Sequence, residues 1–82
     1  MHTIFLDSGD YATAQELHEA LKRLLCLPDH YGHNADALHD CLSSRRETVN
    51  LVVLGHGSDE VAAALRKCEA VIADLGGQIS RR

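Results

Sequence analysis

The middle of the chain combines histidines and aspartates in a stretch that contains no lysine or arginine. Between Arg23 and Arg45 the sequence carries the acids Asp29, Asp36 and Asp40. Asp36 and Asp40 are four residues apart, so a helix would place both carboxylates on one face. Carboxylates held rigidly on a helix can pair with cationic groups that otherwise bind phosphate. The stretch therefore predicts an acidic surface suited to a basic partner.

The same stretch also allows a metal site as an alternative interpretation. His30, His33 and His39, together with Asp36 and Asp40, are residue types that transition metals accept as ligands. Their spacing matches no established metal motif. Surface histidines beside acids are the commoner arrangement, so we predict no metal and no cofactor.

A catalytic interpretation would combine Cys41 with His18 and Glu19 as nucleophile, base and orienting acid. Cys41 shares the apolar side of its predicted helix with Leu38 and Leu42. A thiol directed into a core is a poor nucleophile. We therefore predict that the chain is not an enzyme.

The hydrophobic pattern predicts six elements in the order strand, helix, helix, strand, helix, strand. The caps Thr13, Asn34 and Ser58 set the helix starts. The predicted strands span 2–7, 49–54 and 78–80, and the predicted helices span 14–26, 35–44 and 59–75. Strands joined by helical crossovers favour a parallel sheet with right-handed connections. The predicted fold is a small two-layer α/β domain, with three parallel strands packed against about three helices.

Size and charge narrow the classes of protein further. A chain of 82 residues forms one small domain, predicted over 1–82. The formal net charge of −4 argues against direct nucleic-acid binding, which requires a basic patch. No stretch reaches the roughly 20 apolar residues of a membrane span. The cysteines, Cys26, Cys41 and Cys68, are predicted to be reduced core residues of a cytoplasmic protein.

The segment 16–42 carries a specific resemblance to a known family. It reads ELHEALKRLLCLPDHYGHNADALHDCL. Its distinctive elements are Leu17-His18, Leu27-Pro28-Asp29, Tyr31-Gly32, and the run from Asn34 to Leu42 that contains both aspartates. This segment closely resembles the central part of the barstar family of ribonuclease inhibitors.

The resemblance implies a barstar-like fold and a role without catalysis. Members of the family are intracellular inhibitors of extracellular barnase-type ribonucleases, which they block with an acidic helix and the loop before it. A cytoplasmic inhibitor that is monomeric when free is therefore expected. The alternative is a domain of the same fold that binds a different basic protein.

The resemblance also implies which residues contact the partner. Asp36 and Asp40 match the contact carboxylates of the family, with Asp40 the stronger candidate. His30 stands where the family has a tyrosine, and His39 and Arg45 stand at tryptophan positions. The predicted partner-binding residues are His30, Gly32, Asn34, Asp36, His39, Asp40 and Arg45. Asp59 or Glu60 could supply a further acidic contact near the start of the last helix.

Overall fold

The computed structural model describes residues 2–82, and Met1, the first residue of the predicted domain, lies outside the described part. Six main elements follow one another in the predicted order. They are β1 (His2–Asp7), α1 (Ala14–Leu24), α2 (Ala35–Ser43), β2 (Val49–Leu54), α3 (Asp59–Asp74) and β3 (Gln78–Arg81). A single 3-10 turn, Ser8–Asp10, follows β1.

The three strands form one parallel sheet in the order β1-β2-β3. His2 lies opposite Val49 at the start of the first pair, and Asn50 lies opposite Gln78 at the start of the second. The central strand therefore comes from the middle of the chain, with each end of the chain at one edge of the sheet. The predicted three-stranded parallel sheet is confirmed.

The helices cover one face of the sheet. Ile4 and Leu6 of β1 and Leu51 and Val53 of β2 are buried in the core cluster. Phe5, between the two buried β1 residues, is 60% exposed. Alternate residues of a strand point to opposite faces, so the core lies between the helices and one side of the sheet. The predicted two-layer α/β fold is confirmed.

Helix α3 is the common support of the other helices. It packs against both α1 and α2 and also contacts β2 and β3. Its residues Val61, Leu65, Cys68 and Ile72 are buried in the same cluster as the apolar side chains of α1 and α2. The position of α2 therefore depends on α3.

The three predicted N-caps are present. The side chains of Thr13, Asn34 and Ser58 each accept a hydrogen bond from the backbone N–H three residues later. Each of these contacts satisfies a donor that has no partner within the helix. The helix starts are therefore encoded locally.

The predicted end of α1 is wrong by two residues. The helix stops at Leu24, and Cys26 has a left-handed backbone with φ of 53°. The N–H of Cys26 donates to the carbonyl of Arg23 at 3.4 Å, and that of Leu27 donates to Lys22 at 2.9 Å. This pairing is a Schellman motif, which usually carries glycine at the left-handed position.

The cysteines differ in their surroundings. Cys68 is buried, and burial raises the pKa of its thiol to about 12. Cys41 is half-buried. Cys26 is exposed, so the prediction of a core position is wrong for this residue. The cause is the early turn after α1, which carries Cys26 outward.

Candidate partner-binding site

The site is built on α2 and on the loop that joins it to α1. Asn34 organises the junction through both ends of its amide. Its Oδ1 accepts from the N–H of Ala37 at 2.8 Å, and its Nδ2 donates to the carbonyl of Gly32 at 3.1 Å. One side chain therefore fixes the helix start and the preceding loop relative to each other.

The two aspartates of α2 are exposed and available for an external contact. Within residues 2–82, neither the Asp36 nor the Asp40 carboxylate makes a hydrogen bond or ion pair. Helical neighbours four residues apart have Cβ atoms roughly 5–6 Å apart. The helix thus presents two carboxylates side by side, and each can accept hydrogen bonds from a cationic group.

Asp40 lines a groove that the sequence did not predict. We call it the Asp40 groove, and its volume is about 580 Å³. It is lined by Pro28, His30, Tyr31, Gly32, Ala37, Asp40, Cys41, Ser44 and Arg45. Four of the predicted contact residues, His30, Gly32, Asp40 and Arg45, therefore meet in one concave surface.

Arg45 closes one side of the Asp40 groove. Its Nη2 donates to the carbonyl oxygen of Cys26 at 3.1 Å, which ties the end of α2 to the turn after α1. A guanidinium has five N–H donors, so most of them stay available. The groove therefore combines a carboxylate with a cation.

Asp36 and Asn34 belong to a second concavity, which we call the Asp36 cleft. It has a volume of about 470 Å³ between the starts of α1, α2 and α3. Its lining is Ala14, His18, His33, Asn34, Ala35, Asp36, Glu60, Ala63, Ala64 and Lys67. The two aspartates of α2 thus border different concavities.

The remaining candidates lie at different places. His39 is exposed on α2 and lines neither the groove nor the cleft. Glu60 lines the Asp36 cleft, where its Oε2 accepts from the N–H of Ala14 at 2.7 Å. Asp59 is exposed at the start of α3 and does not line the cleft. Of the two acids near that helix start, the geometry places Glu60 beside Asp36.

A buried polar pair connects the loop to helix α1. His18 of α1 is 5% exposed and Tyr31 of the loop is 3% exposed. The His18 Nδ1 lies 2.7 Å from the Tyr31 hydroxyl, and that hydroxyl donates to the carbonyl of Asn34 at 3.4 Å. A hydroxyl can accept from a protonated Nδ1 while it donates to a carbonyl. The loop is therefore tied to the core through a polar contact.

Burial sets the protonation of this pair. It lowers the pKa of His18, and the charge of neighbouring His33 lowers it further. Burial also raises the pKa of Tyr31 well above its ordinary value. At neutral pH both side chains are therefore neutral, as a buried hydrogen-bonded pair requires.

Sequence reasoning missed the residues that hold the loop. The sequence indicates Glu19 and His33 only as members of the alternative catalytic and metal sites, and Tyr31 only as part of a motif. His33 Nε2 lies 2.8 Å from Glu19 Oε1, across fourteen positions of sequence. The one available signal was an aromatic residue in a polar loop, because a buried tyrosine needs a hydrogen-bond partner.

The alternative chemistries gain no geometric support. Among residues 2–82, no group of three His, Cys, Asp or Glu side chains is arranged to hold a metal ion. His18 is paired with Tyr31, and Glu19 with His33, so the predicted alternative of Cys41 with these two residues forms no nucleophile–base pair. Over the described part of the chain, no helix has the length and apolar character of a membrane span.

Comparison with known proteins identifies the family. The family model described as "Barstar (barnase inhibitor)" matches residues 1–81. The chain therefore belongs to the barstar family, a family of inhibitor proteins, and this confirms the prediction that it is not an enzyme.

A curated relative has a description of a similar kind. The Bacillus subtilis (strain 168) protein described as "Putative ribonuclease inhibitor YrdF" is 46% identical over 43 residues. The match covers 52% of this chain and 47% of the relative, so the chain spans about half the length of that protein.

Proposed function

We propose that the chain is a cytoplasmic inhibitor of an extracellular barnase-type ribonuclease. In this proposal α2 and the loop before it enter the basic active site of the nuclease and exclude RNA. The contact residues are the seven predicted from the sequence: His30, Gly32, Asn34, Asp36, His39, Asp40 and Arg45. Inhibition needs no bond making, so the inhibitor acts by occupancy alone.

The observation that carries the proposal is the state of the two α2 carboxylates. Asp36 and Asp40 are exposed, lie on one rigid helix and have no partner among residues 2–82. A ribonuclease site is lined with cations because it must attract phosphate. Two fixed carboxylates can accept hydrogen bonds from those cations without first losing internal contacts, which lowers the cost of binding.

The two aspartates are expected to contribute unequally. Asp36 lies in the first turn of α2, where the positive end of the helix dipole partly offsets its charge. Asp40 lies one turn further on and borders a groove that can enclose a protruding side chain. Charge-assisted contacts are stronger where water is excluded. Asp40 is therefore the better anchor.

The first prediction concerns Asp40→Asn, which removes the charge and keeps the shape. Titrating the protein into a barnase activity assay is expected to give stoichiometric inhibition by the wild type. A charge-assisted hydrogen bond contributes about 1.5–3 kcal/mol, so the variant should raise the inhibition constant roughly tenfold or more. Asp36→Asn should raise it by a smaller factor.

Asp74→Asn is the matched control, because it removes one exposed carboxylate from α3 outside both concavities. It is expected to change the inhibition constant by less than about twofold, as surface charges at a distance are screened. Equal effects of Asp40→Asn and Asp74→Asn would contradict the assigned site. A wild-type protein that leaves barnase active would contradict the proposed target.

A second candidate function is supported by Arg45. Its guanidinium lines the groove beside Asp40, where it would face a cationic nuclease surface. A partner that offers both a cation and a carboxylate would match this groove better. The candidate is a barstar-family domain that binds another basic protein, and absence of barnase inhibition in the titration would favour it.

A further inference from the structure

His33 has a backbone conformation that ordinary residues avoid. It lies between Gly32 and Asn34 in the binding loop, with φ of 56°. The left-handed region is unfavourable for most residues with a Cβ atom, so the side-chain contacts of His33 help to hold this conformation in place. Its side chain is half-buried and makes two such contacts.

The two ring nitrogens of His33 contact two different parts of the protein. Nδ1 lies 2.9 Å from the carbonyl oxygen of Tyr31, and Nε2 lies 2.8 Å from Oε1 of Glu19. A carbonyl and an ionised carboxylate only accept hydrogen bonds. A neutral imidazole has a single N–H and can donate to just one of them. Both contacts are hydrogen bonds only when the ring is doubly protonated.

These contacts connect the loop to a fixed point. Glu19 belongs to α1, whose neighbouring residues Leu17 and Leu21 are fully buried. Tyr31 belongs to the loop, and its backbone N–H donates to the carbonyl of Pro28 at 3.0 Å. The His33 ring thus joins helix α1 to the loop backbone. We call the Glu19–His33–Tyr31 contact the loop clasp.

The charges around the clasp are mainly negative. Glu19 contacts the ring from α1. Asp36 from α2 and both Glu60 and Lys67 from α3 line the same cleft. The nearest other imidazole is His18, with ring centroids 6.5 Å apart, and its pKa is lowered by burial, so it stays neutral. The His33 ring therefore contacts one carboxylate directly and shares the cleft with two further carboxylates and one ammonium.

We propose that His33 is a positioning residue for the partner-binding loop, and that its protonated form holds the loop in the shape that binds. The inference rests on the proposed function for its effect on affinity. The clasp itself concerns the free protein. Raising the pH removes the second proton of an imidazole, so the loop should loosen as pH rises. Loss of the clasp is expected to weaken partner binding.

The test compares three variants with the wild type. His33→Asn removes the charge while using a residue that tolerates the left-handed backbone. Glu19→Gln supplies an amide that can either donate or accept, so the contact persists with a neutral ring. His56→Asn is the matched control, because this exposed histidine follows β2 and lines neither concavity at the site.

The first readout is amide hydrogen exchange in the free protein, at the hydrogen-bonded N–H groups of Tyr31 and Ala37. After correction for intrinsic rates, protection in the wild type should fall by about threefold to tenfold between about pH 5.5 and 8. His33→Asn should show, at every pH, the low protection that the wild type shows near pH 8. Glu19→Gln should reduce the dependence of amide protection on pH. Equal pH dependence in the wild type and His33→Asn would overturn the clasp.

The second readout is the dissociation constant for barnase at the same pH values. The dissociation constant of His33→Asn should exceed that of the wild type by about threefold to tenfold near pH 5.5, and by less than about twofold near pH 8. A ratio that does not vary with pH would overturn the positioning role. Protection that depends on His33 without any barnase binding would support the clasp and would contradict the proposed function instead.

Discussion

At the scale of single residues, two neighbouring histidines have different surroundings and different hydrogen-bond partners. His18 is buried against the Tyr31 hydroxyl, and burial keeps its ring neutral. His33 lies 6.5 Å away between ring centroids and makes both of its contacts only as a cation. Burial therefore determines the role of His18, which is to pair with Tyr31. The two hydrogen-bond acceptors beside His33 determine its role, which is to connect α1 to the loop.

Stability is predicted to depend on pH through His18. Its pKa is lowered in the fold, so below about pH 6.5 the unfolded chain binds more protons than the folded one. The free energy of unfolding should therefore fall as pH drops toward 5. His18→Gln removes this titration, so the stability advantage of the wild type over the variant should shrink over the same range.

Urea denaturation at several pH values between about 5 and 7.5 measures this difference. His56→Gln is the control, and its difference from the wild type should stay constant. Parallel stability curves for the wild type and His18→Gln would contradict a neutral, buried His18. The difference between the wild type and His18→Gln isolates His18 from the other titrating groups, so this difference is more informative than the wild-type curve alone.

At the scale of elements, the starts of the helices could be predicted and one of their ends could not. The caps Thr13, Asn34 and Ser58 are local signals, and each one makes the expected backbone contact. Both α1 and α3 end in Schellman motifs. Gly76 marks the second, whereas Cys26 occupies the equivalent position of the first. Without glycine, the sequence carries no visible stop before Pro28.

The residues of the candidate site could be proposed from the sequence, whereas the shape of the surface that they form could not. The resemblance of segment 16–42 indicated the carboxylates of α2 and the loop before it. The division of Asp36 and Asp40 between two concavities depends on how α2 packs against α3. The contact between Glu19 and His33 depends on tertiary structure in the same way. No local pattern encodes such contacts.

Close packing at the end of α3 gives a prediction at this scale. A Cβ atom at Gly77 would clash with the carbonyl oxygen of Val49 and would lie 2.5 Å from Cγ2 of Ile72. Gly77→Ala therefore forces β2 and α3 apart. We expect a loss of about 1–3 kcal/mol in the free energy of unfolding, measured by chemical denaturation.

Gly76→Asn is the matched comparison within the same motif. Gly76 has φ of 85°, and the nearest atom to an added Cβ would be Cγ2 of Thr48 at 3.7 Å. Asparagine tolerates a left-handed backbone better than other residues with a side chain. This variant should cost less than Gly77→Ala. A larger loss in the free energy of unfolding for Gly76→Asn than for Gly77→Ala would contradict this prediction. It would show that the positive φ of Gly76 matters more than the close packing at Gly77.

At the scale of the whole molecule, one core joins five of the six main elements, and Ile79 of the sixth, β3, packs against this core. The formal net charge is −4, and Asp36 and Asp40 place part of that charge at the proposed interface. We propose that residues 1–82 act as a single domain. The field of such a domain should attract a basic partner before contact.

Association with barnase is accordingly predicted to depend on salt. Raising the ionic strength from about 0.05 to 0.5 M shortens the screening length severalfold, so the association rate constant should fall clearly. The dissociation rate constant should change much less, because the contacts at the interface are short-range. Stopped-flow mixing measures the first quantity and competition with excess inhibitor measures the second. An association rate that does not vary with salt would contradict electrostatic attraction.

The arrangement of α3 also has a consequence for synthesis of the protein. The seven proposed contact residues all precede Arg46, whereas the helix that supports α2 begins at Asp59. A ribosome therefore completes the contact residues well before it completes their support. The nascent chain is expected to gain inhibitory competence late and in one step. A product terminated between Arg46 and Asp59 would contain all seven proposed contact residues. It would lack α3, and so it could not hold α2 in its binding position.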